Sequence, residues 1–347
     1  MMQKHKLGQS DMLVSAYCLG TMTFGSQTDE ADAHRQLDMA RDFGINFLDA
    51  AEMYPVNPVS VETAGETEAI IGRWIAKAKP ADLVVATKIA GAGSIVVKDG
   101  APITPARLRE AVENSLRRLQ VDCLDIYQLH WPNRGSYHFR KSWAYDPSDQ
   151  NRAETIAHMR EILICAQKLI AQGKIRHIAL SNETAWGLST WLHLAQTEGL
   201  PRVLSVQNEY SLLCRYFDLD MAEACANENI PLLAYSPLAA GILTGKYAGN
   251  VTPEDSRRAR SPDLGGRITG RVFEAVSGYL AVAHEFGLDP VHMAVEWTRA
   301  RPVTTLPIIG ATTSAQLAHL LAGEGTVLPP EALAAIDRLN RAMPMVF

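Results

Sequence analysis

The chain has 347 residues, enough for one large domain or two ordinary ones, and 47% of them are hydrophobic, which supports a sizeable core. Charged residues make up 20% and the formal net charge is −5. Lys and Arg are scattered, so the composition argues against disorder and against a dedicated nucleic-acid binder. The five cysteines form no Cys-x-x-Cys pair. With a polar N-terminus and no apolar run of membrane-spanning length, the sequence predicts a cytoplasmic protein that binds no membrane.

Short β-rich runs alternate with helical patterns along the chain. Eight runs are predicted as strands: Tyr17–Gly20, Ile45–Asp49, Leu83–Lys88, Cys123–His130, Ile175–Ser181, Val203–Gln207, Pro231–Tyr235 and Thr304–Ile308. One intervening segment, Arg107–Leu119, has apolar residues at helical spacing, and Thr104-Pro105 provides its cap and first-turn proline.

This alternation indicates a parallel sheet with helices outside. Eight such units favour a closed (β/α)₈ barrel, and a doubly wound sheet with an appended domain is the alternative. No linker or shift in composition marks a boundary. The sequence therefore predicts a single domain over residues 1–347.

Two long connections interrupt the alternation. The first, Trp131–Arg152, is polar and rich in aromatic residues, and the second, Ala239–Gly270, contains many glycines and arginines. Long loops in a compact barrel usually serve function. A disordered insertion is the alternative, but the aromatic residues of the first loop favour packing. They also indicate a substrate with an apolar or aromatic part.

Three ionisable residues, Asp49, Lys88 and His130, end predicted strands, where the active sites of such barrels lie. Strand alternation places each on one face with other residues of its own strand: Asp49 with Ile45 and Phe47, Lys88 with Val84 and Ala86, and His130 with Ile126 and Gln128. If these faces point inward, the three meet at one mouth, and Tyr54 in a following loop can fold over it.

Each of these residues has a structural alternative, namely a helix cap, a solvated lysine, a structural histidine and a rim tyrosine. Together they fit one chemistry. A phenol with a pKa near 10 is a poor acid at neutral pH, and a nearby ammonium lowers that pKa. A carboxylate keeps the ammonium charged, and an imidazole can position a carbonyl oxygen.

The motifs of this chain resemble those of the aldo-keto reductase family. The matching segments are Gly20–Gly25 (GTMTFG), Phe47–Tyr54 (FLDAAEMY), Thr87-Lys88, Asp125–Pro132 (DIYQLHWP) and Gly173–Asn182 (GKIRHIALSN). They follow in the family's order over nearly the whole chain. The Glu-Met-Tyr sequence, the long loop after His130 and Ile309–Thr313 are most similar to the branch that holds bacterial Tas-type members and potassium-channel β-subunits.

The resemblance implies an NADPH-dependent carbonyl reductase on a (β/α)₈ barrel. It assigns Tyr54 as the general acid, Lys88 as the group that lowers its pKa, Asp49 as the partner of Lys88, and His130 as the residue that orients the carbonyl. Trp131 is expected at the rim of the substrate pocket. The catalytic assignment needs no metal.

The resemblance also assigns the cofactor site. Ser181, Asn182 and Gln207 are expected to hold the nicotinamide carboxamide, and Tyr235 to stack on its ring. The remaining cofactor residues are Ser236, Pro237, Leu238, Gly241 and Leu243 along the pyrophosphate, and Lys246, Arg257, Gly310, Thr312 and Gln316 toward the 2′-phosphate and adenine. Between Lys246 and Arg260 the chain has four basic residues and two acidic ones, which suits a phosphate-rich ligand.

The chain departs from the family pattern at a few positions. His319-Leu320 stands where relatives usually have Glu/Thr-Asn, so the usual adenine-contacting Asn is replaced by Leu320. Ala179 and Ala50 replace a Gly and a Thr of the motifs. These changes bear on cofactor affinity and on the choice between NADPH and NADH, and they leave the four catalytic positions intact.

Three functions remain open from the residues. The first is carbonyl reduction of a small molecule. The second is an NADP(H)-binding regulatory or redox-sensing subunit like the potassium-channel β-subunits. The third is a Schiff-base lyase that uses Lys88. The oligomeric state is also open, and a homo-oligomer is one option.

Overall fold

The structure is a computed structural model that describes residues 2–347. Its strands are β1 (Lys4–Lys6), β2 (Leu13–Ser15), β3 (Cys18–Gly20), β4 (Phe47–Asp49), β5 (Val84–Ile89), β6 (Leu124–Leu129), β7 (Ile175–Ser181), β8 (Val206–Glu209), β9 (Leu232–Tyr235) and β10 (Thr305–Ile309). Among these described residues, β1 and β2 form an antiparallel hairpin, and the other eight close a parallel barrel in the order β10-β3-β4-β5-β6-β7-β8-β9. The predicted (β/α)₈ barrel is confirmed.

Helices cover the outside of the barrel. They are α1 (Glu30–Phe43), α2 (Glu66–Ala78), α3 (Pro105–Leu119), α4 (Arg152–Ala171), α5 (Ala185–Glu198), α6 (Asp220–Glu228), α7 (Arg257–Arg260), α8 (Val272–Glu285), α9 (Pro290–Arg299), α10 (Ser314–Ala322) and α11 (Pro330–Ala342). Across residues 2–347, none of them has both the length and the apolar character that a membrane crossing requires.

The barrel interior is a separate hydrophobic cluster. Phe47, Val84, Ala86 and Ile126 belong to it, so these side chains point inward as predicted. The prediction was wrong for Ile45, which precedes β4 and lies in the main core instead. The hairpin contributes two further members, Leu7 and Val14, and thereby packs against the interior side chains. The sequence did not predict this hairpin, because β1 is the polar tripeptide Lys-His-Lys and lacks apolar alternation.

Strand bounds agree with the prediction to within one to three residues, and β7 matches it at both ends. The strand predicted from Ile45 begins at Phe47. The reason is Asn46, whose side chain donates to the carbonyls of Leu13 and Asp82 and accepts from the Ser15 N–H. Asn46 therefore forms hydrogen bonds both to the β1–β2 hairpin and to the segment before β5, and regular strand pairing begins only after it.

The predicted helix is α3, and its N-terminus forms as expected. The Thr104 hydroxyl accepts from the Arg107 N–H at 3.2 Å, and Pro105 occupies the first turn. The first long loop (Trp131–Arg152) is packed rather than extended: the ring centroids of Tyr137 and Tyr145 are 6.1 Å apart. The second long loop (Ala239–Gly270) contains short 3₁₀ turns and α7.

Candidate active site

A cavity of about 860 Å³ opens at the carboxyl ends of the barrel strands, between the two long loops. Its wall includes nearly all residues that the sequence assigned to catalysis or cofactor binding: Asp49, Tyr54, His130, Trp131, Ser181, Asn182, Gln207, Tyr235, Ser236, Pro237, Leu238, Gly241, Lys246, Arg257, Gly310, Thr312 and Gln316. Two predicted residues are not on the wall. Leu243 is buried in the main core, and Lys88 lies beneath the cavity floor.

Lys88 is fully buried and hydrogen-bonded to three oxygens. Its Nζ lies 2.7 Å from Asp49 Oδ2, 2.7 Å from the Ala50 carbonyl and 3.5 Å from the Tyr54 hydroxyl. Burial disfavours the charged amine, but the Asp49 carboxylate and the Tyr54 oxygen outweigh it and raise the pKa of Lys88. An ammonium with three donors and three acceptors is therefore fixed under the cavity.

The Asp49 carboxylate is held by three side chains. Oδ2 accepts from Lys88, while Oδ1 accepts from Gln128 at 3.1 Å and from Gln207 at 2.8 Å. Gln207 donates its second amide hydrogen to Gln128 at 3.1 Å. With both amide hydrogens used, only its carbonyl oxygen is left to accept from a ligand.

Tyr54 lies above this network with its ring partly open to the cavity. Its oxygen accepts from Lys88, so its own O–H is free to donate. Burial raises the pKa of Tyr54 above its usual 10.0, and the Lys88 charge acts against that rise without reversing it. Lys88 thus lowers the pKa of Tyr54 as expected. The loss of solvent around the phenol has the larger effect, and the pKa as a whole is raised.

His130 borders Tyr54 on one side and Trp131 on the other. The ring centroids are 5.9 Å and 5.0 Å apart, respectively. Burial and then the Lys88 charge lower the pKa of His130 well below 6.5, so the imidazole is neutral at physiological pH. Its Nδ1 is buried and has no hydrogen-bond partner within residues 2–347.

Polar side chains at the ends of β7, β8 and β9 form the next part of the wall. The Asn182 amide donates to the His130 carbonyl at 2.9 Å and accepts from the Tyr235 hydroxyl at 2.7 Å. The Ser181 hydroxyl donates to the Gln207 carbonyl at 2.8 Å. Asn182 has a φ of 52°, a strained backbone for a residue other than glycine, and such strain concentrates at functional sites.

The turn after β9 has a backbone suited to anions. Leu238 has a right-handed conformation (φ −97°, ψ 12°), and Ala239 and Ala240 follow at φ 48° and 58°. Right-handed residues followed by left-handed ones can form anion-binding nests of N–H groups. Here the Ala239 N–H donates to the Ser236 carbonyl at 2.8 Å, so the N–H groups of Leu238 and Ala240 are the ones left for an anion. At Gly241, an added Cβ would lie 3.0 Å from the Lys246 side chain, so glycine gives that lysine room.

Arg257 is a half-buried cation that forms no salt bridge within residues 2–347. Its Nε is buried and has no hydrogen-bond partner in the described part of the chain. Burial and the charges of Arg267 and Arg140 lower the pKa of Arg257 to about 10. Farther along the wall, Gln316 Oε1 accepts from the Thr312 N–H and hydroxyl at 3.0 and 2.9 Å. This end of the cavity is built for an anionic or polar ligand.

Sequence reasoning missed one ion-pair cluster on the cavity rim. Glu209, at the end of β8, pairs with Arg140 of the first long loop at 2.6 Å and with Arg267 of the second at 2.6 Å. Phe139, beside Arg140, packs edge-on against Trp131 with centroids 5.9 Å apart. The two arginines and Phe139 had only their place in the long loops as a sequence signal, and Glu209 had none, because pairing between distant segments leaves no local pattern.

Comparison with known proteins decides the family. The model of the Aldo/keto reductase family matches residues 16–341. The chain belongs to this family. It is therefore an oxidoreductase of a group that uses NAD(P)H and generally reduces carbonyl compounds.

Several relatives cover nearly the whole chain. "Protein tas" of Escherichia coli (strain K12) is 41% identical over 347 residues, covering 98% of each chain. "Uncharacterized oxidoreductase YrpG" of Bacillus subtilis (strain 168) is 32% identical, over 90% of this chain and 87% of that protein. The "Probable voltage-gated potassium channel subunit beta" of Arabidopsis thaliana is 29% identical over 99% of this chain and 98% of its own length.

Proposed function

We propose that this protein reduces aldehydes or ketones to alcohols with NADPH, and that Tyr54 is the general acid. The arrangement that carries the proposal is the Lys88–Tyr54 contact. Because Lys88 donates to the phenol oxygen at 3.5 Å, the Tyr54 O–H points its proton to another acceptor, and the cavity is where that acceptor can sit. The His130 ring lies edge-on to the Tyr54 ring, with the two centroids 5.9 Å apart.

The residues of the cavity fit a dinucleotide phosphate. The underpaired Arg257 and the exposed Lys246 supply positive charge, and the turn after β9 supplies the N–H groups of Leu238 and Ala240 as donors. The Gln207 carbonyl offers an acceptor for a carboxamide. When bound, the reduced nicotinamide supplies the hydride.

The chain's own part in the reaction is to orient the carbonyl and to deliver a proton. The neutral His130 can donate one N–H to the carbonyl oxygen and fix its position. Tyr54 then gives its proton to that oxygen as negative charge develops there. The Lys88 ammonium stabilises the resulting phenolate, and Asp49 holds Lys88 in place.

The structure argues against the Schiff-base alternative. A lysine nucleophile must be neutral to attack a carbonyl. The Lys88 amine is charged, completely buried and saturated with three acceptors, and its pKa is raised. A protonated Lys88 amine with three hydrogen bonds has no lone pair with which to attack a carbonyl carbon.

The substrate pocket combines aromatic and apolar side chains near the catalytic groups. Trp131 and Phe139 form one wall, and Met53 and Val56 lie on the wall beside Tyr54. Such a surface favours a carbonyl compound with an aryl or other apolar part. Trp131 is the residue that we assign to substrate contact.

A regulatory role is the second candidate, and the relatives named as potassium-channel β-subunits favour it. The two functions differ in one observable. A regulatory subunit binds NADPH without consuming it, whereas a reductase consumes it when a carbonyl compound is added.

The test mixes the purified protein with NADPH and 4-nitrobenzaldehyde. Reduction predicts loss of the absorbance of the reduced nicotinamide, dependent on aldehyde and on protein concentration. Tryptophan fluorescence in the same samples reports cofactor binding. Quenching by NADPH without any absorbance loss over a panel of aldehydes and ketones would contradict the reductase and favour the regulatory subunit.

A further inference from the structure

Asp289, His292 and His319 form a cluster at the α9–α10 side of the cavity. One potential ligand atom from each residue lies within 4.8 Å of the other two. His319 Nε2 is 3.0 Å from Asp289 Oδ2, and the two imidazole centroids are 4.9 Å apart. None of these residues has a role in the proposed reduction.

The hydrogen bonds around the cluster leave one ligand atom of each residue facing the other two. Asp289 caps α9 with Oδ1, which accepts from the N–H groups of Val291 and His292, whereas Oδ2 contacts His319 Nε2, a contact that a shared cation would replace. His292 Nε2 lies 2.8 Å from the His319 carbonyl oxygen. That contact requires a proton on Nε2, which puts the lone pair of the neutral ring on Nδ1. A metal-binding histidine usually donates the N–H of its other ring nitrogen to an acceptor such as a backbone carbonyl, which fixes the orientation of the ring.

The two helices hold His292 in place and leave His319 adjustable. The His292 ring lies against Gly323 at the end of α10, where an added Cβ would come within 2.3 Å of it. The His319 side chain is 50% exposed and can rotate. Ligands at about 2.0–2.1 Å from a tetrahedral ion lie about 3.3 Å apart, close to the present separation of Asp289 and His319.

We infer that Asp289, His292 and His319 bind a divalent cation of the zinc class, with three protein ligands and one open position. Two imidazoles and one carboxylate suit zinc among first-row metals and disfavour magnesium and calcium, which prefer oxygen ligands. Asp289 and His319 also line the cavity, together with Thr312 and Gln316. The cation therefore sits at the wall proposed above to hold the 2′-phosphate end of NADPH.

Metal binding at this place changes the charge of the wall. The cluster carries −1 when the histidines are neutral and +1 when Zn²⁺ is bound. Zinc therefore tightens NADPH binding more than NADH binding, since NADPH has the additional phosphate. This consequence, unlike the metal site itself, rests on the proposed cofactor.

The test uses the full chain without a purification tag, freed of metal with EDTA and dialysed. Calorimetric titration with ZnCl₂ is expected to give one site per chain, and CoCl₂ the visible absorption of tetrahedral cobalt. Asp289→Asn keeps the helix cap and removes a charged ligand. Asp289→Asn and His319→Ala are each expected to weaken zinc binding by at least about tenfold. Loss of a group that only hydrogen-bonds to a metal ligand already weakens binding by that factor, and loss of a ligand should weaken it more.

The matched control is His193→Ala, which removes an exposed histidine on α5 and is expected to leave zinc binding unchanged. Absence of zinc binding, or binding that survives both cluster variants, would overturn the site. NADPH and NADH affinities measured with and without zinc test the consequence, and an equal effect on both would overturn the coupling. A protein that binds zinc but no NADPH would refute the proposed cofactor while leaving the metal site standing.

Discussion

At the scale of single residues, the most constrained group is the buried pair of Lys88 and Asp49. Lys88→Met is expected to lower kcat by about 100-fold or more, because the phenolate of Tyr54 loses its stabilising charge. The same change leaves Asp49 charged and short of a partner in the interior, which costs about 3–5 kcal/mol of unfolding free energy. NADPH oxidation and urea unfolding measure the two effects.

The double variant Asp49→Asn/Lys88→Met separates stability from catalysis. Removing both charges is expected to restore much of the lost unfolding free energy, since no uncompensated ion remains. Turnover should stay absent. Recovery of activity together with stability would mean that Lys88 serves only the fold.

The depressed pKa of His130 predicts a pH-dependent stability. The unfolded chain binds a proton at this histidine below about pH 6.5, and the folded chain does not until a lower pH. Stability is therefore retained above pH 6.5 and falls as the pH drops below it, by up to about 1.4 kcal/mol per unit for this one residue. Urea unfolding at pH 7.5 and pH 5.5 should show a smaller difference for His130→Asn than for the parent chain. Equal differences would show that His130 titrates normally in the fold.

The sequence identified Asp49, Lys88 and His130 because strand alternation fixes which side chains face inward and the end of a strand fixes their depth. Tyr54 was placed at the same mouth by its position in the loop after Asp49, and its assignment as the general acid came with the family resemblance. The cofactor residues came from the resemblance alone, since loop positions follow no periodicity. The Glu209 cluster could not be predicted. Its members come from β8 and two loops, and only the folded barrel brings them together.

At the scale of elements, the two long loops are joined through Glu209. Arg140→Met is expected to release the first loop from β8, because Arg140 is one half of a buried ion pair with Glu209. The NADPH dissociation rate should then rise by about tenfold or more. Stopped-flow tryptophan fluorescence measures this rate. Lys141→Met, at an exposed neighbour, is the control and should behave like the parent chain. An unchanged rate in Arg140→Met would show that the ion pair does not retain the cofactor.

Element type was easier to predict than element bounds. The α3 cap follows from local chemistry at Thr104 and Pro105, and the apolar runs of the barrel strands are local too. The β1–β2 hairpin was missed because its stability comes from Leu7 and Val14 packing beneath the barrel, a contact that a polar tripeptide does not reveal.

At the scale of the molecule, the parallel barrel closes between β10 and β3, so the two ends of the chain depend on each other. That closure supports the prediction of a single domain over residues 1–347. Urea unfolding is expected to give coincident midpoints by tryptophan fluorescence and far-ultraviolet circular dichroism. Two separate transitions, with a protease-resistant fragment between them, would contradict a single domain.

The charge distribution also belongs to this scale. The chain has a net charge of −5, yet the cavity wall carries the positive charge of Arg257 and Lys246, which form no salt bridge within residues 2–347. A phosphate-rich ligand would offset that charge. NADPH binding should therefore weaken as ionic strength rises, more than NADH binding does.

The central claim is that Tyr54 supplies the proton in carbonyl reduction. The most direct measurement compares the parent chain with Tyr54→Phe, following NADPH absorbance with 4-nitrobenzaldehyde and NADPH quenching of tryptophan fluorescence. The account predicts that the variant loses turnover and retains NADPH binding, because the phenylalanine keeps the ring and removes only the acid. Turnover that persists in Tyr54→Phe, or NADPH binding that disappears with it, would contradict the assignment.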